Sequence, residues 1–256
     1  DINNPQLPDF IVPGADEKKQ DEPAKIKVIG VGGGGGNAVN HMYHQGIGGV
    51  SFVLCNTDAQ ALRNSPVPVK VQLGAKGEGA GNIPEVAKKL AEESAAEVEA
   101  LFDDNTRMAF ITAGMGGGTG TGAAPVVARI AKEKGVLTVG IVTIPFLFEG
   151  EPKILQAFAG VEEMRKHVDA LLVINNERLC KIYPDLSWTT AFAKADDSLS
   201  NAARSIAELV SKDGKINLDF ADVRTTLKDG GAAVISTGSG EGEHRMSRAI
   251  QNALTS

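Results

Sequence analysis

The chain has few cysteines and lacks any apolar run long enough to cross a bilayer. A membrane-spanning helix needs roughly 20 consecutive apolar residues, so we expect no direct insertion into a membrane. Cys55 and Cys180 are the only cysteines among 256 residues. That number excludes a disulfide framework and, with no signal peptide recognisable, favours a reduced, cytoplasmic protein.

Positive charge is also scarce. Lys and Arg total 26 against 32 Asp and Glu, which gives a formal net charge of −6. A nucleic-acid surface needs clustered Lys and Arg to neutralise phosphates, so we expect no nucleic-acid partner. The four histidines show no metal-ligand spacing and the two cysteines are distant, so a structural zinc site is not expected either.

The two ends of the sequence differ from its middle. Residues 1–25 carry six acids, three bases and four prolines, a composition that cannot bury a core and predicts a flexible N-terminal arm. A strand predicted at 232–237 and a helix predicted at 243–254 end the sequence. We therefore expect residues 231–256 to be the incomplete beginning of a second, C-terminal α+β domain.

Between the ends, short apolar runs alternate with helical patterns. Near-continuous apolar strands of this kind indicate an α/β fold, in which helices cover both faces of a mostly parallel, Rossmann-like sheet. We assign residues 26–210 to this domain, with a long helix opening at Pro84 and a long central helix from about residue 189. Ligands of such sheets bind beyond the carboxyl ends of the strands, where the glycines are concentrated.

The first glycine-rich segment, residues 30–37, reads GVGGGGGN and joins a predicted strand to a helix predicted at 37–45. Glycines let the backbone approach a phosphate, and amides at a helix N-terminus face its charge. A tight turn would need fewer than five consecutive glycines. A dinucleotide-binding fold would show a similar pattern, so this segment alone leaves the class of nucleotide open.

The second segment, residues 114–122, reads GMGGGTGTG and precedes a helix predicted at 123–134. Its amides and the hydroxyls of Thr119 and Thr121 can donate to phosphate oxygens. Two such segments in one sheet predict a di- or triphosphate held from two sides. The sequence has no G-x-x-x-x-G-K-[ST] motif, so amide dipoles, a helix end and a bound metal ion must neutralise the phosphates.

Residues 116–122 (GGGTGTG) resemble the signature motif of the tubulin/FtsZ family, and the resemblance extends from about residue 25 to the last residue. It implies a GTPase that binds GTP or GDP, with Mg²⁺ accompanying the nucleotide. It assigns nucleotide binding to Gly33, Gly34, Gly35, Gly36, Asn37, Asn56, Gly81, Gly118, Thr119, Gly120, Glu149, Lys153, Asn176, Phe192 and Asp196.

Within that set the resemblance also implies individual roles. Glu149 reaches the ribose, and Lys153 stands where the family usually has an Arg, which keeps the charge but loses the planar fork. Asn176 and Asp196 read the guanine, and Phe192 packs against the base. A carboxylate that accepts from the N1 and N2 donors of guanine would exclude adenine.

A third motif, residues 217–222 (NLDFAD), lies within the range 211–230, which we expect to hold a catalytic loop and the helix after it. From spacing alone, Asp219 and Asp222 are a helix N-terminal pair stabilised by the macrodipole. The family resemblance implies instead that this loop enters the nucleotide site of the next subunit. Asp219 and Asp222 then act catalytically in trans, and Asn217 sets the geometry.

The resemblance further implies the partners and the place of action. The first partner is the chain itself, in a head-to-tail homopolymer at the mid-cell division site. Membrane-tethering and regulatory division proteins are expected to bind a C-terminal tail. The central helix supports the polar arrangement, because about 20 residues span roughly 30 Å and separate the nucleotide from the loop.

Two alternatives stay open at this point. A nicotinamide-dependent oxidoreductase would use residues 30–37 as a Rossmann fingerprint and Asp58 as the ribose acid, but it leaves residues 114–122 and 217–222 unexplained. A tubulin-like filament protein with another task, such as moving plasmids or shaping cells, would share every motif. The match across the whole core favours the division protein.

Overall fold

The computed structural model describes residues 25–47, 49–183, 185, 187–211, 220–232 and 240–255. Several expectations fall outside these residues. They are the arm up to residue 24, the loop residues Asn217 and Asp219, and residues 233–237 of the last predicted strand.

One parallel sheet forms the centre of the described part, and its seven strands lie in the order β3-β2-β1-β4-β5-β6-β7. The strands are β1 (Lys25–Val31), β2 (Val50–Asn56), β3 (Val69–Gln72), β4 (Thr106–Gly114), β5 (Leu137–Ile144), β6 (Ala170–Asn175) and β7 (Gly231–Ala232). The predicted α/β fold is thereby confirmed. Strand β7 extends this sheet into the range assigned to the second domain, and the domain boundary stays a prediction.

Helices cover both faces of the sheet. In the described residues they are α1 (Gly32–Gln45), α2 (Ala59–Arg63), α3 (Pro84–Glu93), α4 (Ala95–Ala100), α5 (Gly118–Glu133), α6 (Glu151–Arg165), α7 (Glu177–Ile182), α8 (Trp188–Ser211), α9 (Phe220–Leu227) and α10 (Arg245–Thr255). One apolar cluster packs α3, α4, α5 and α6 against the sheet, and a second packs α1, α8 and α9 against its other face. The central helix predicted from about residue 189 is present as α8.

Both glycine-rich segments contain the first turns of a helix, which the sequence did not lead us to expect. Helix α1 starts at Gly32 and α5 at Gly118, so each begins five residues before its predicted start, in spite of the poor helix propensity of glycine. Close packing explains the composition. A Cβ atom on Gly35 would lie 2.2 Å from the Thr112 carbonyl oxygen, and one on Gly120 would lie 2.3 Å from that of Gly114.

The long helix predicted from Pro84 is two helices. Helix α3 ends before Ser94 and α4 begins after it. The Ser94 hydroxyl accepts a hydrogen bond of 2.9 Å from the Gly74 amide, so this residue serves the neighbouring loop rather than a straight helix. Val86 is 40% exposed, whereas the neighbouring Ala87 is fully buried against the core.

Parallel pairing brings the functional segments together. Because β1 and β4 are neighbours in register, α1 and α5 start side by side at the carboxyl edge of the sheet. Helix α8 crosses the same face as α1, where Leu199 and Ala203 are buried and the Ser200 hydroxyl donates to the Ala38 carbonyl at 3.1 Å.

Candidate functional site

A cleft of about 510 Å³ lies at the carboxyl edge of the sheet, where β1, β4 and β5 end. It is lined by Gly33, Gly34, Asn37, Asn82, Gly114, Met115, Gly117, Gly118, Thr119, Gly120, Thr143, Pro145, Glu149, Asn176, Phe192, Ala195, Asp196 and Leu199. The structure thus brings together ten of the fifteen residues that the sequence assigned to nucleotide binding. Their roles in binding stay predictions.

The first turns of α1 and α5 form one end of the cleft. A Cβ atom added to Gly32, whose φ is +73°, would lie 2.8 Å from the Gly120 nitrogen, so the two backbones are in contact. A Cβ atom on Gly33 would meet nothing within 4 Å, so that position faces open space. First-turn amides have no acceptor within their own helix, and each helix start carries about half a positive charge. This end of the cleft can therefore hold an anion.

The α5 start is held in place by four hydrogen bonds that reach other elements or close its loop. Thr57 and Thr119 share a hydroxyl–hydroxyl bond of 2.7 Å, and the Met115 amide donates to the Thr143 carbonyl at 2.9 Å. The Gly116 amide donates to the Thr121 hydroxyl, and Gln156 donates to the Gly116 carbonyl, both at 2.9 Å. Thr121, expected to face the phosphates, is instead buried and braces the loop.

The other end of the cleft carries the residues expected to contact a base. Phe192 is 43% exposed and packs edge-on against the rings of Phe146 and Phe148, with centroids 5.5 and 5.9 Å away. Asn176 is 5% exposed, yet its Oδ1 atom has no hydrogen-bond partner within the described residues. A buried acceptor of this kind can take a hydrogen bond from a donor outside the chain.

Asp196, in the third turn of α8, completes this end. Burial, together with the negative charge of Asp197, raises the pKa of the half-buried Asp196 carboxyl to about 6, and His41 opposes that rise. A carboxylate whose charge is poorly solvated gains most from new donors. Asp196 can therefore accept hydrogen bonds from a ligand with adjacent N–H groups.

Glu149 and Lys153 form a pair at the side of the cleft. One Glu149 oxygen accepts from the Phe146 amide at 3.1 Å, and the other lies 3.2 Å from the Lys153 ammonium. Lys153 does not line the cleft. The Lys153 ammonium holds the Glu149 side chain, and its contact with a nucleotide stays a prediction.

Four further predicted residues also lie away from the cleft. Gly35, within α1, packs against β4. Gly36 and Asn56 line a separate cavity of about 50 Å³ between α1 and β2. Gly81, with φ +57°, turns the chain before α3, and the neighbouring Asn82 lines the cleft in its place.

Thr143 and Leu199 also line the cleft, and neither was expected from the sequence. Thr143 lies at the carboxyl end of β5, and this position alone could have pointed to it. Leu199 resembles any core residue of an amphipathic helix, so no sequence signal distinguishes it.

Asp222 is exposed in the first turn of α9, away from the cleft of its own chain. The end of α9 lies beside the starts of β5 and β6, because Asp229 contacts Lys132 at the end of α5 and Gly231 pairs with Ala170. Asp222 and the cleft therefore belong to opposite edges of the sheet. Asn217 and Asp219 cannot be placed, since they lie outside the described residues.

Asp58, which an oxidoreductase would need as a ribose acceptor, is used locally. Its Oδ1 atom accepts from the amides of Gln60 and Ala61 at 2.8 and 3.2 Å and so caps α2. In the described part of the chain, no three His, Cys, Asp or Glu side chains are grouped to hold a metal, and no helix is long and apolar enough to cross a membrane.

Comparison with known proteins gives a consistent picture. Residues 25–184 match the family model described as "Tubulin/FtsZ family, GTPase domain". The chain is 66% identical over 238 residues to the cell division protein FtsZ of Porphyromonas gingivalis, covering 91% of the chain and 52% of that protein. It is 48% identical to that of Aquifex aeolicus, covering 91% of the chain and 65% of that protein. The chain thus spans about half to two thirds of these relatives.

Solved structures share the fold. An empty FtsZ dimer from M. jannaschii superimposes with a TM-score of 0.86 at 44% identity, covering 94% of this chain and 71% of that one. CetZ2 from Haloferax volcanii, solved as a GTPγS-bound protofilament, gives a TM-score of 0.73 at 25% identity, with 86% and 67% covered.

Proposed function

Because the chain belongs to the tubulin/FtsZ family, we propose that it binds GTP in the cleft and hydrolyses it to GDP and phosphate. One observation carries the proposal. The cleft joins an anion-binding end, made by the starts of α1 and α5, to an end that offers an aromatic face, a carboxylate and an unpaired amide oxygen. A nucleoside polyphosphate has this same order of chemical groups.

The phosphates bind the first-turn amides of α1 and α5, with the Thr119 hydroxyl as an additional donor. None of the described residues that line the cleft is Lys or Arg, so positive charge has to enter with the nucleotide. Mg²⁺ fits this requirement. Its protein ligands would be neutral oxygens of Asn37, Asn82 or Thr119, and phosphate and water would supply the rest.

The base binds against Phe192 and beside Asp196, near the start of α8. Asp196 accepts from the N1 and N2 donors of guanine, and the buried Asn176 Oδ1 takes a further donor from the ligand. Adenine has no N1 proton and no N2 amine, so it would leave Asp196 unpaired. A site that leaves a buried polar group unpaired rejects the wrong ligand strongly.

Hydrolysis takes place between subunits. Helix α8 has 24 residues and so spans about 36 Å, which supports an arrangement with Asp222 and the cleft at opposite poles. Two different poles lead to head-to-tail, open-ended filaments. Asp219 and Asp222 of one subunit hold and polarise the water that attacks the γ-phosphate bound by the next, and Asn217 sets the geometry. The dimer and protofilament forms of the related structures support such assembly.

The 66% identity to a cell division protein supports a role in the bacterial division ring, whereas the 25% identity to CetZ2 gives less support to another filament task. The protein would act in the cytoplasm at mid-cell. Residues 26–210 would form the nucleotide domain, 211–230 the catalytic loop and its helix, and 231–256 the start of the C-terminal domain. Membrane-tethering and regulatory division proteins would bind a C-terminal tail.

The test is GTP turnover per subunit as a function of concentration, in the full-length protein. Turnover should rise steeply with concentration, and Asp222→Ala should bind GTP without cleaving it. Thr225→Ala, an exposed change on the same helix, should behave as wild type. If turnover is flat with concentration and survives Asp222→Ala, hydrolysis lies within one subunit and the proposal fails.

A further inference from the structure

Three charged side chains join the far end of α5 to the turn after α9. The Lys132 ammonium, in the last turn of α5, lies 3.2 Å from Asp169 Oδ1 and 2.9 Å from Asp229 Oδ1. Asp169 immediately precedes β6, and Asp229 follows α9 by two residues. We call Lys132, Asp169 and Asp229 the α5–α9 clamp.

Asp169 is the centre of the α5–α9 clamp. It is 4% exposed, and a buried carboxylate requires full pairing. Its Oδ2 atom accepts from the Thr138 amide at 2.9 Å, and its Oδ1 atom accepts from the Asp229 amide at 3.4 Å. Its carbonyl accepts from the Gly231 amide at 3.1 Å. One residue therefore ties the start of β5 to the turn between α9 and β7.

Asp229 contributes its carboxylate from an unusual backbone position. Its φ is +53°, in the left-handed region that residues other than glycine rarely adopt. Such a conformation persists where the surroundings hold it. Here both the amide and the carboxylate of Asp229 are held, by Asp169 and by Lys132 respectively.

Helix α9 has a second attachment of a different kind. Val223 is 8% exposed and packs, with Leu227, into the apolar cluster on the sheet. Apolar packing is non-directional, so it retains α9 against the sheet but does not set the direction in which the helix points. The hydrogen bonds and ion pairs of the α5–α9 clamp are directional and supply that orientation.

We propose that the α5–α9 clamp is a positioning device. It holds α9 so that Asp222 enters the cleft of the next subunit in the position that GTP hydrolysis requires. This inference rests on the proposed function. None of the three clamp residues lines the cleft, since α5 has its cleft end at Gly118 and its clamp end at Lys132, about 20 Å away along the helix. Displacing a catalytic group by about 1 Å can lower a rate by two orders of magnitude.

Lys132→Met tests the proposal, because it keeps the aliphatic stem and removes the charge. In the full-length protein we expect GTP turnover in assembled polymer to fall about tenfold, with nucleotide affinity unchanged. Asp229→Asn, which tolerates the same φ, should have a similar effect. Lys134→Met is the matched control. Lys134 also pairs with two carboxylates, those of Glu99 and Asp103 at 3.1 and 3.0 Å, but on the side of α5 that faces away from α9.

Mixed filaments show which pole of the subunit is impaired, a distinction that a general loss of stability would not produce. Gly33→Asp serves as a subunit without GTP but with an intact α9, because Gly33 lines the cleft, has open space around it, and would bring a negative charge to the anion-binding end. In an equimolar mixture of Lys132→Met with Gly33→Asp, turnover per filled cleft should rise about fivefold above Lys132→Met alone. The cause is that half of the filled clefts then receive an intact α9.

The reciprocal mixture should show no rescue. With Lys132→Met and Asp222→Ala, every α9 is either displaced or lacks its carboxylate, so turnover should fall below that of Lys132→Met alone. If this mixture rises and the first one does not, Lys132 acts on its own cleft and the inference is wrong. If neither mixture differs from Lys132→Met, the effect is general and the inference is also wrong.

The proposed function is checked separately by a third mixture, Gly33→Asp with Asp222→Ala. Turnover in this mixture requires a shared site but no property of the α5–α9 clamp. If it stays inactive, catalysis in trans fails, and the inference falls with it. If it is active while the two Lys132→Met mixtures fail to differ as stated, only the inference is overturned.

Discussion

Asp196→Asn should change the base that the cleft selects. Asp196 is proposed to accept from both N1–H and N2–H of guanine through one carboxylate. An asparagine presents one oxygen and one NH₂ group at the same place. The oxygen still accepts from N1–H, but the NH₂ group faces the N2 amine of guanine, donor against donor. Xanthine has a carbonyl oxygen at that position, which can accept from the NH₂ group.

The size of the effect follows from the contacts. Hydrogen bonds to a charged group contribute about 1.5–3 kcal/mol each. Asp196 is half-buried and borders a cleft open to solvent, which favours the lower end of that range. Losing one charge-assisted hydrogen bond and placing two donors against each other should weaken GTP binding by about 3 kcal/mol, which is about a hundredfold in affinity. The variant should bind XTP at least about tenfold more tightly than GTP.

Competition against a fluorescent nucleotide measures both affinities in wild type and in Asp196→Asn. Asp185→Asn, an exposed change before α8, is the matched control and should leave the preference for GTP unaltered. If Asp196→Asn binds GTP as tightly as wild type does, or if its affinities for GTP and XTP fall equally, Asp196 does not read the base and its assigned role is wrong.

Three further predictions concern the same cleft. Because the pKa of Asp196 is raised to about 6, its carboxyl is protonated as the pH falls through that value, so GTP affinity should drop about tenfold between about pH 8 and pH 5 in a binding titration. Asp197→Asn removes a charge that raises this pKa and should move the midpoint to lower pH. An unmoved midpoint would contradict the assignment. Gly120→Ala should destabilise the fold by about 1–3 kcal/mol, seen as a lower Tm. Gly33→Ala should leave Tm unchanged and lower the affinity for GTP. Equal Tm values in these two variants would be inconsistent with the packing. Asn176→Leu should change stability by no more than about 1 kcal/mol, because its buried oxygen is unpaired, yet should weaken GTP binding. Unaltered GTP affinity would remove Asn176 from the site.

The sheet was predictable because parallel strands buried on both faces have a sequence pattern of their own. The run at β4, from Met108 to Ala113, is apolar at all but Thr112, and it is buried throughout. Local composition therefore agreed with the final environment. The place of strand β7 in the sheet was harder to predict, since the pairing of Gly231 and Ala232 with β6 is a long-range contact.

The helix boundaries were wrong where tertiary packing overrides local propensity. Five glycines in α1 have little tendency to form a helix alone, but Gly35 and Gly32 lie too close to neighbouring backbone for any side chain. Likewise, Ser94 ends α3 because it bonds to a loop 20 residues earlier in the chain. Neither contact is visible in a linear pattern.

The site was predicted in outline rather than in detail. Family resemblance identified Gly33, Asp196 and Phe192, and the structure brings them to one cleft. It also assigned Lys153 to the ligand, which stays a prediction, and it did not indicate that this ammonium pairs with Glu149. The charge was correctly noted, but a sequence does not show which carboxylate a lysine will reach.

The central claim is that one active site is shared by two subunits. Its most direct test is GTP turnover in an equimolar mixture of Gly33→Asp and Asp222→Ala, each inactive alone for a different reason. Random mixing places an intact loop against a filled cleft at about one interface in four, so turnover should recover to about a quarter of wild type. Turnover that stays at the sum of the two separate variants would contradict the shared site.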